Sequence, residues 1–169
     1  MKNIVLIGMP GCGKSTIAVI LSKKLNLKAI DMDVYIEEKE NKTIKEMFAI
    51  SEDYFRNMES KYAKLLGQLD SHIISTGGGI VKREENIVAL KRSSVIVFIN
   101  RPIENIIKDV NIKTRPLLKD GVEAVYKLYN ERIHLYKKYC HIEICNVGSM
   151  EEVADNIIQA VYEWEAKDK

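Results

Sequence analysis

The residues Gly8-Met9-Pro10-Gly11-Cys12-Gly13-Lys14-Ser15 fit the pattern GxxxxGK[ST]. Glycines at these positions let consecutive main-chain amides curl around a phosphate, and a helix that starts there adds the positive end of its dipole. In such a loop Lys14 would bridge the β- and γ-phosphates of a nucleotide, and the Ser15 hydroxyl would bind Mg²⁺. Gly11, Cys12, Gly13 and Thr16 complete the nucleotide-side set. Asp31-Met32-Asp33 offers two carboxylates, Asp31 for the Mg²⁺ shell and Asp33 for an acceptor hydroxyl, although either could simply cap a helix. Arg56 and Glu59 of Phe55-Arg56-Asn57-Met58-Glu59 fall at i, i+3 on one helical face, as a site pair or as an exposed salt bridge.

Thr76-Gly77-Gly78-Gly79 cannot contribute to a core and loses backbone entropy on folding, so a close approach by a ligand or another chain segment is expected there. Arg115-Pro116-Leu117-Leu118 and Arg132 add two further guanidinium groups. The chain has 20 lysines and only six arginines, and three of those six stand at candidate sites. A planar fork matched to carboxylate or phosphate is the property that separates arginine from lysine. Cys12 reads as a small residue filling a tolerant loop position, with a redox-active thiol as the alternative. His72, His134 and His141 follow no motif and read as structural.

These groups need elements to place them. Strands are expected at 2–7, 28–31, 72–75, 94–99 and 141–144, all short and rich in β-branched residues. Helical periodicity covers 14–25, resumes near Val34, breaks at Asn41-Lys42-Thr43 and returns over 53–69, 84–90, 102–110, 123–139 and 150–164. The P-loop pattern therefore sits after a strand and before a helix, the context it requires. Strand-helix alternation implies a parallel sheet covered on both faces, with ligands at the carboxyl edge of the strands. The aperiodic stretch 111–122, which holds Pro116 and Gly121, reads as a mobile loop.

Composition narrows the function classes. A chain of 169 residues with 46% hydrophobic and 30% charged residues suits one domain, 1–169, that buries about 70% of its unfolded surface. Its apolar runs are strand-length, so no membrane span is expected, and its first residues lack a signal-peptide cleavage pattern. A net charge of +2 with scattered lysines gives nucleic acid no obvious stripe to bind. Three cysteines without CxxC spacing fit a reducing compartment, and no long heptad pattern suggests an oligomer, so a cytoplasmic monomer is expected.

Taken together, the P-loop, the DxD after strand two, FRxxE, the triple glycine after strand three, RPLL and an arginine followed four residues later by tyrosine resemble shikimate kinase over essentially the whole chain. That resemblance implies a three-layer α/β P-loop kinase fold of the nucleoside-monophosphate-kinase type, with a five-stranded parallel sheet in the order 2-3-1-4-5 and a lid. It implies transfer of the γ-phosphoryl of ATP to the 3-hydroxyl of shikimate, with Mg²⁺ as cofactor, in aromatic amino-acid biosynthesis. By position, Lys14, Asp33 and Arg115 would be catalytic, and Ser15 and Asp31 would serve the metal. Asp33, Arg56, Glu59, Gly77, Gly78, Gly79 and Arg132 would hold shikimate on a segment centred at 33–61, Glu59 orienting Arg56. Arg115 would descend with the lid. Lys108 stands where the family often has an adenine-stacking arginine, Ser51-Glu52 replaces Gly-Glu, and Cys145-Asn146 replaces Asp-Thr near the adenine pocket. Rival readings are a gluconate-like small-molecule kinase and a non-catalytic ATP-binding module.

Overall fold

Strands too apolar to alternate belong at the centre of a sheet. In the computed structural model, which describes residues 1–112 and 121–167, all of β1 (Asn3–Ile7) is buried, as is β4 (Ser94–Asn100) up to its last residue. Around them β2 (Lys28–Asp31), β3 (His72–Ser75) and β5 (Ile142–Cys145) complete a parallel sheet in the order β2-β3-β1-β4-β5. This is the expected P-loop kinase order. The edge strands β2 and β5 are the partly exposed ones.

Register brings the chemistry together. Asp31 pairs with Ser75, and Ser75 pairs with Leu6, so β2, β3 and β1 end side by side. Helix α1 (Lys14–Leu25) starts from the loop after β1 and packs on β2, β3 and the C-terminal helix α8 (Met150–Lys167). Helices α2 (Met32–Glu40), α3 (Ile44–Ile50) and α4 (Glu52–Leu66) fill the crossover between β2 and β3. Between β3 and β4 lies α5 (Glu84–Lys91), and α6 (Ile103–Ile112) and α7 (Val122–Tyr139) lie between β4 and β5.

Helix α3 is absent from the sequence-based expectation. Seven residues give little periodicity, but Thr43 caps it in a reciprocal capping box with Glu46. Ser51 then caps α4, which starts at Glu52 and ends at Leu66, three residues before the expected end. Arg115 and residues 113–120 of the expected lid lie outside the described residues.

The opposite end of the sheet is tied by polar groups. Asn3, fully buried, donates to Leu69 O at 2.6 Å and accepts from His72 N at 2.9 Å. His141 Nδ1 accepts the Ile96 amide at 2.9 Å, and its ring lies 4.9 Å from that of Trp164, which also lies beneath the Lys2 ammonium. His72 contacts Asp70 O and His134 is exposed, so none of the three histidines lines the cleft described below.

Candidate active site

The loop after β1 is held open by its own backbone. Gly13 occupies φ 99° at the start of α1, a conformation that L residues rarely adopt. No side chain among the described residues caps α1 and its first turn carries no acid, whereas Asp31, Thr43 and Ser51 cap the next three helices. The first amides of α1 are thus left for an anion. Lys14 is buried, and its ammonium donates to Gly8 O at 2.8 Å and Met9 O at 3.0 Å.

Cys12 is fully buried, with its sulfur 3.6 Å from the Lys14 ammonium. Thr16 is exposed on α1, and Lys108 is exposed on α6. Two braces hold the loop from behind: Arg101, which sequence reasoning did not single out, and Asn146, which it named only as a departure near the adenine pocket. Arg101 donates to Gly11 O at 2.9 Å and pairs with Asp109 at 2.6 Å, and the buried Asn146 donates to Cys12 O at 2.9 Å. Neither bracing role carries a motif signature, since each acts on a main-chain carbonyl of the loop.

Asp31 does both things open to it. Its Oδ1 accepts the Asp33 and Val34 amides as the cap of α2, while Oδ2 accepts the Ser15 hydroxyl at 2.7 Å. Ser15 Oγ also lies 3.4 Å from Ser75 Oγ. Among the described residues no three His, Cys, Asp or Glu side chains gather as a metal cage. One serine and one carboxylate nevertheless suit Mg²⁺, which keeps several waters and takes its other ligands from phosphates.

The acceptor side is a cleft of about 460 Å³ shared with the P-loop residues Met9 to Gly11. The three glycines act as its spine, each backed by a different neighbour. A Cβ on Gly77 would lie 2.9 Å from Asp33 Oδ1, one on Gly78 would lie 2.7 Å from Pro10 Cδ, and one on Gly79 would collide with the Arg56 guanidinium. Side chains are excluded here because the acid, the phosphate loop and the arginine all press against one strand of backbone. Tyr136 closes the arrangement by donating to Gly78 O at 2.6 Å and accepting from Arg132, one helical turn earlier on α7.

Arg56 and Glu59 form a buried pair, 2.9 Å apart, with Glu59 only 1% exposed. The exposed-salt-bridge alternative is therefore out. Removing one partner of such a pair costs about 3–5 kcal/mol, against about 1 kcal/mol or less for a surface pair. Phe55 and Phe48 flank the same guanidinium at 5.2 and 5.8 Å. Sequence reading passed over Phe48 and Lys82 and took Glu52 only as part of the Ser51-Glu52 departure, yet all three line the cleft; the FR pairing on a helix was the only available signal for this aromatic wall.

Electrostatics single out Asp33. Its Oδ1 is buried without a hydrogen-bond partner, and burial, with Glu59 and Asp31 close by, pushes its carboxyl up to about 6 from 3.8. Burial also raises Glu59, against the pull of Arg56. The arrangement can thus hold a polyphosphate, present a hydroxyl to a carboxylate of raised basicity, and receive an anion on Arg56 and Arg132.

Comparison with known proteins follows the same division. A shikimate kinase of Clostridium botulinum is 51% identical over 158 residues, covering 93% of this chain and 96% of its own. The structure of shikimate kinase from Acinetobacter baumannii in complex with shikimate superposes with a TM-score of 0.89 at 29% identity, over 96% of this chain and 94% of that one. A gluconokinase from Sinorhizobium meliloti, at TM-score 0.60 and 11% identity over 96% and 97% of the two chains, shares the fold alone. The family match, described as shikimate kinase, runs over residues 10–162. It takes in the loop from Pro10 onward, the glycine spine and α7, and the chain belongs to the shikimate kinase family.

Proposed function

We propose that this chain transfers the γ-phosphoryl of ATP to the 3-hydroxyl of shikimate, and that the glycine spine sets the distance between the two ends of that substrate. The observation that carries the reading is the placement of Asp33 against Gly77 and Arg56 against Gly79, with the P-loop proline against Gly78 between them. An acid for a hydroxyl and a fork for a carboxylate then stand on either side of the point where the phosphates arrive.

Lys14 and the free amides of α1 hold the phosphates, with Gly11, Cys12, Gly13 and Thr16 shaping the loop and Lys108 on the nucleotide side. Ser15 and Asp31 would hold Mg²⁺, which when bound neutralises charge on the phosphate oxygens. Asp33 accepts a hydrogen bond from the acceptor hydroxyl and takes its proton late, because the loose transition state of phosphoryl transfer asks for orientation more than for deprotonation. Arg56 and Arg132 receive the substrate carboxylate, with Glu59 fixing the first and Tyr136 the second. Arg115 is assigned to the transferred phosphoryl by its RPLL motif. Residues 33–61 form the substrate segment of one kinase domain; the three free cysteines fit a reducing compartment such as the cytoplasm, and the lack of a long heptad pattern in the sequence fits a monomer. No helix among the described residues is long and apolar enough to cross a membrane.

Coupled ADP release over a panel of shikimate, quinate, gluconate and nucleoside monophosphates tests the reading. Shikimate should exceed every other acceptor in kcat/KM. Faster turnover of gluconate or a nucleotide would overturn it.

A further inference from the structure

Arg56 faces a second carboxylate besides Glu59. Glu52 Oε1 lies 3.4 Å from Arg56 Nε, on the same helix at i, i+4, and it is half exposed at the cleft. A carboxylate so placed is an internal competitor: it offers the guanidinium what an acidic substrate would offer. Across the cleft, Lys82 ends the short 3₁₀ turn Ile80–Lys82 that follows the glycine spine. Its ammonium donates to the same Glu52 oxygen at 2.5 Å, nearly 1 Å closer than Arg56. Lys82 holds the Glu52 carboxyl below its usual range more strongly than Arg56 does.

We infer that Lys82 is a specificity-determining positioning residue for the acceptor: by engaging Glu52 it holds that carboxylate at its long 3.4 Å hydrogen bond to Arg56 Nε, keeps it from closing further, and leaves the remaining guanidinium donors to the substrate. Charge points the same way: among the described residues the cleft is lined by five carboxylates, Asp33, Glu52, Glu59, Asp109 and Glu131, against three cations, Arg56, Lys82 and Arg132, so each cation kept available to an incoming anion counts. The inference rests on the reading that the acceptor carries a carboxylate.

The pair is surface-exposed on both sides, so its loss should leave the fold intact. Lys82→Met should raise the KM for shikimate about fivefold, the upper range for an exposed ion pair. The KM for ATP should stay unchanged, and kcat should fall less than KM rises. Lys82→Arg should retain the wild-type KM. The added substitution Glu52→Gln should bring the KM of Lys82→Met back toward wild type, because the competitor has gone. With the methyl ester of shikimate as acceptor, Lys82→Met and wild type should show equal kcat/KM.

An unchanged KM in Lys82→Met, a loss that persists in the double variant, or an equal loss with the ester overturns the inference while leaving shikimate as substrate. A wild-type protein that fails to phosphorylate shikimate overturns the parent reading, and this inference with it.

Discussion

Around the P-loop the groups facing the cleft are main-chain amides and one lysine, and the braces behind them, Arg101 and Asn146, hold carbonyl oxygens. Across Gly78, recognition passes to side chains held by other side chains: Arg56 by Glu59, Arg132 by Tyr136, Glu52 by Lys82. The nucleotide half thus depends on backbone conformation and tolerates Cys12 inside the loop. The acceptor half depends on side-chain identity and needs a backbone stripped of side chains to make room for it. A common currency such as ATP suits the first construction, and a single small acid suits the second.

The largest test of this division is Asp33→Asn. Turnover should fall about 10²-fold or more, the usual scale for a positioned acid or base, with Mg·ATP binding retained. The same variant should unfold at a higher temperature than wild type above pH 6. The sign follows from the raised carboxyl: the unfolded chain ionises Asp33 from about pH 4, the folded protein only above about 6, so folded stability falls as pH rises through that window. Asparagine escapes the penalty. Melting curves at pH 4 and pH 7 check this, and a Tm gain equal at both would separate the stability effect from ionisation.

Next in size is Arg56→Lys. Charge is kept but the fork is lost, and kcat/KM for shikimate should drop about 10- to 150-fold, the equivalent of one charge-assisted hydrogen bond. With the alcohol analogue that lacks the carboxylate, the drop should nearly vanish; strict additivity of the two changes would place Arg56 elsewhere in the reaction. A comparable substitution on the nucleotide side should do far less. Arg101→Ala loosens Gly11 O without removing a phosphate ligand, so the KM for ATP should rise about three- to fivefold, in line with one ordinary hydrogen bond, with KM for shikimate unmoved. An Arg101→Ala variant whose acceptor KM shifts instead would blur the boundary between the halves.

The same division governs what could be read from the chain alone. A backbone site leaves a contiguous signature, so the loop from Gly8 to Ser15 and its flanking strand and helix were legible, and strand alternation with apolar content gave the sheet. The acceptor residues were legible only where a motif recurs, as at Asp33, Arg56 and the glycines. Helix α3 was not, because seven residues stabilised by a capping box carry no period. Glu52, Lys82, Phe48 and Arg101 were not either, since their roles arise from tertiary neighbours up to 90 positions apart in the chain. The glycines show the limit well: sequence demanded a close approach at 77–79, but that each meets a different partner is a property of the folded chain.

The tilted His141–Trp164 ring pair at the amino end of the strands has a practical side. Trp164 is the only tryptophan of the chain, and it sits on α8 against Lys2 and His141, at the end of the sheet opposite the cleft. Its fluorescence therefore reports the docking of the last helix and is blind to substrates. An optical binding signal would have to be installed near Phe48 or Phe55, whereas the native chromophore is already well placed to follow unfolding.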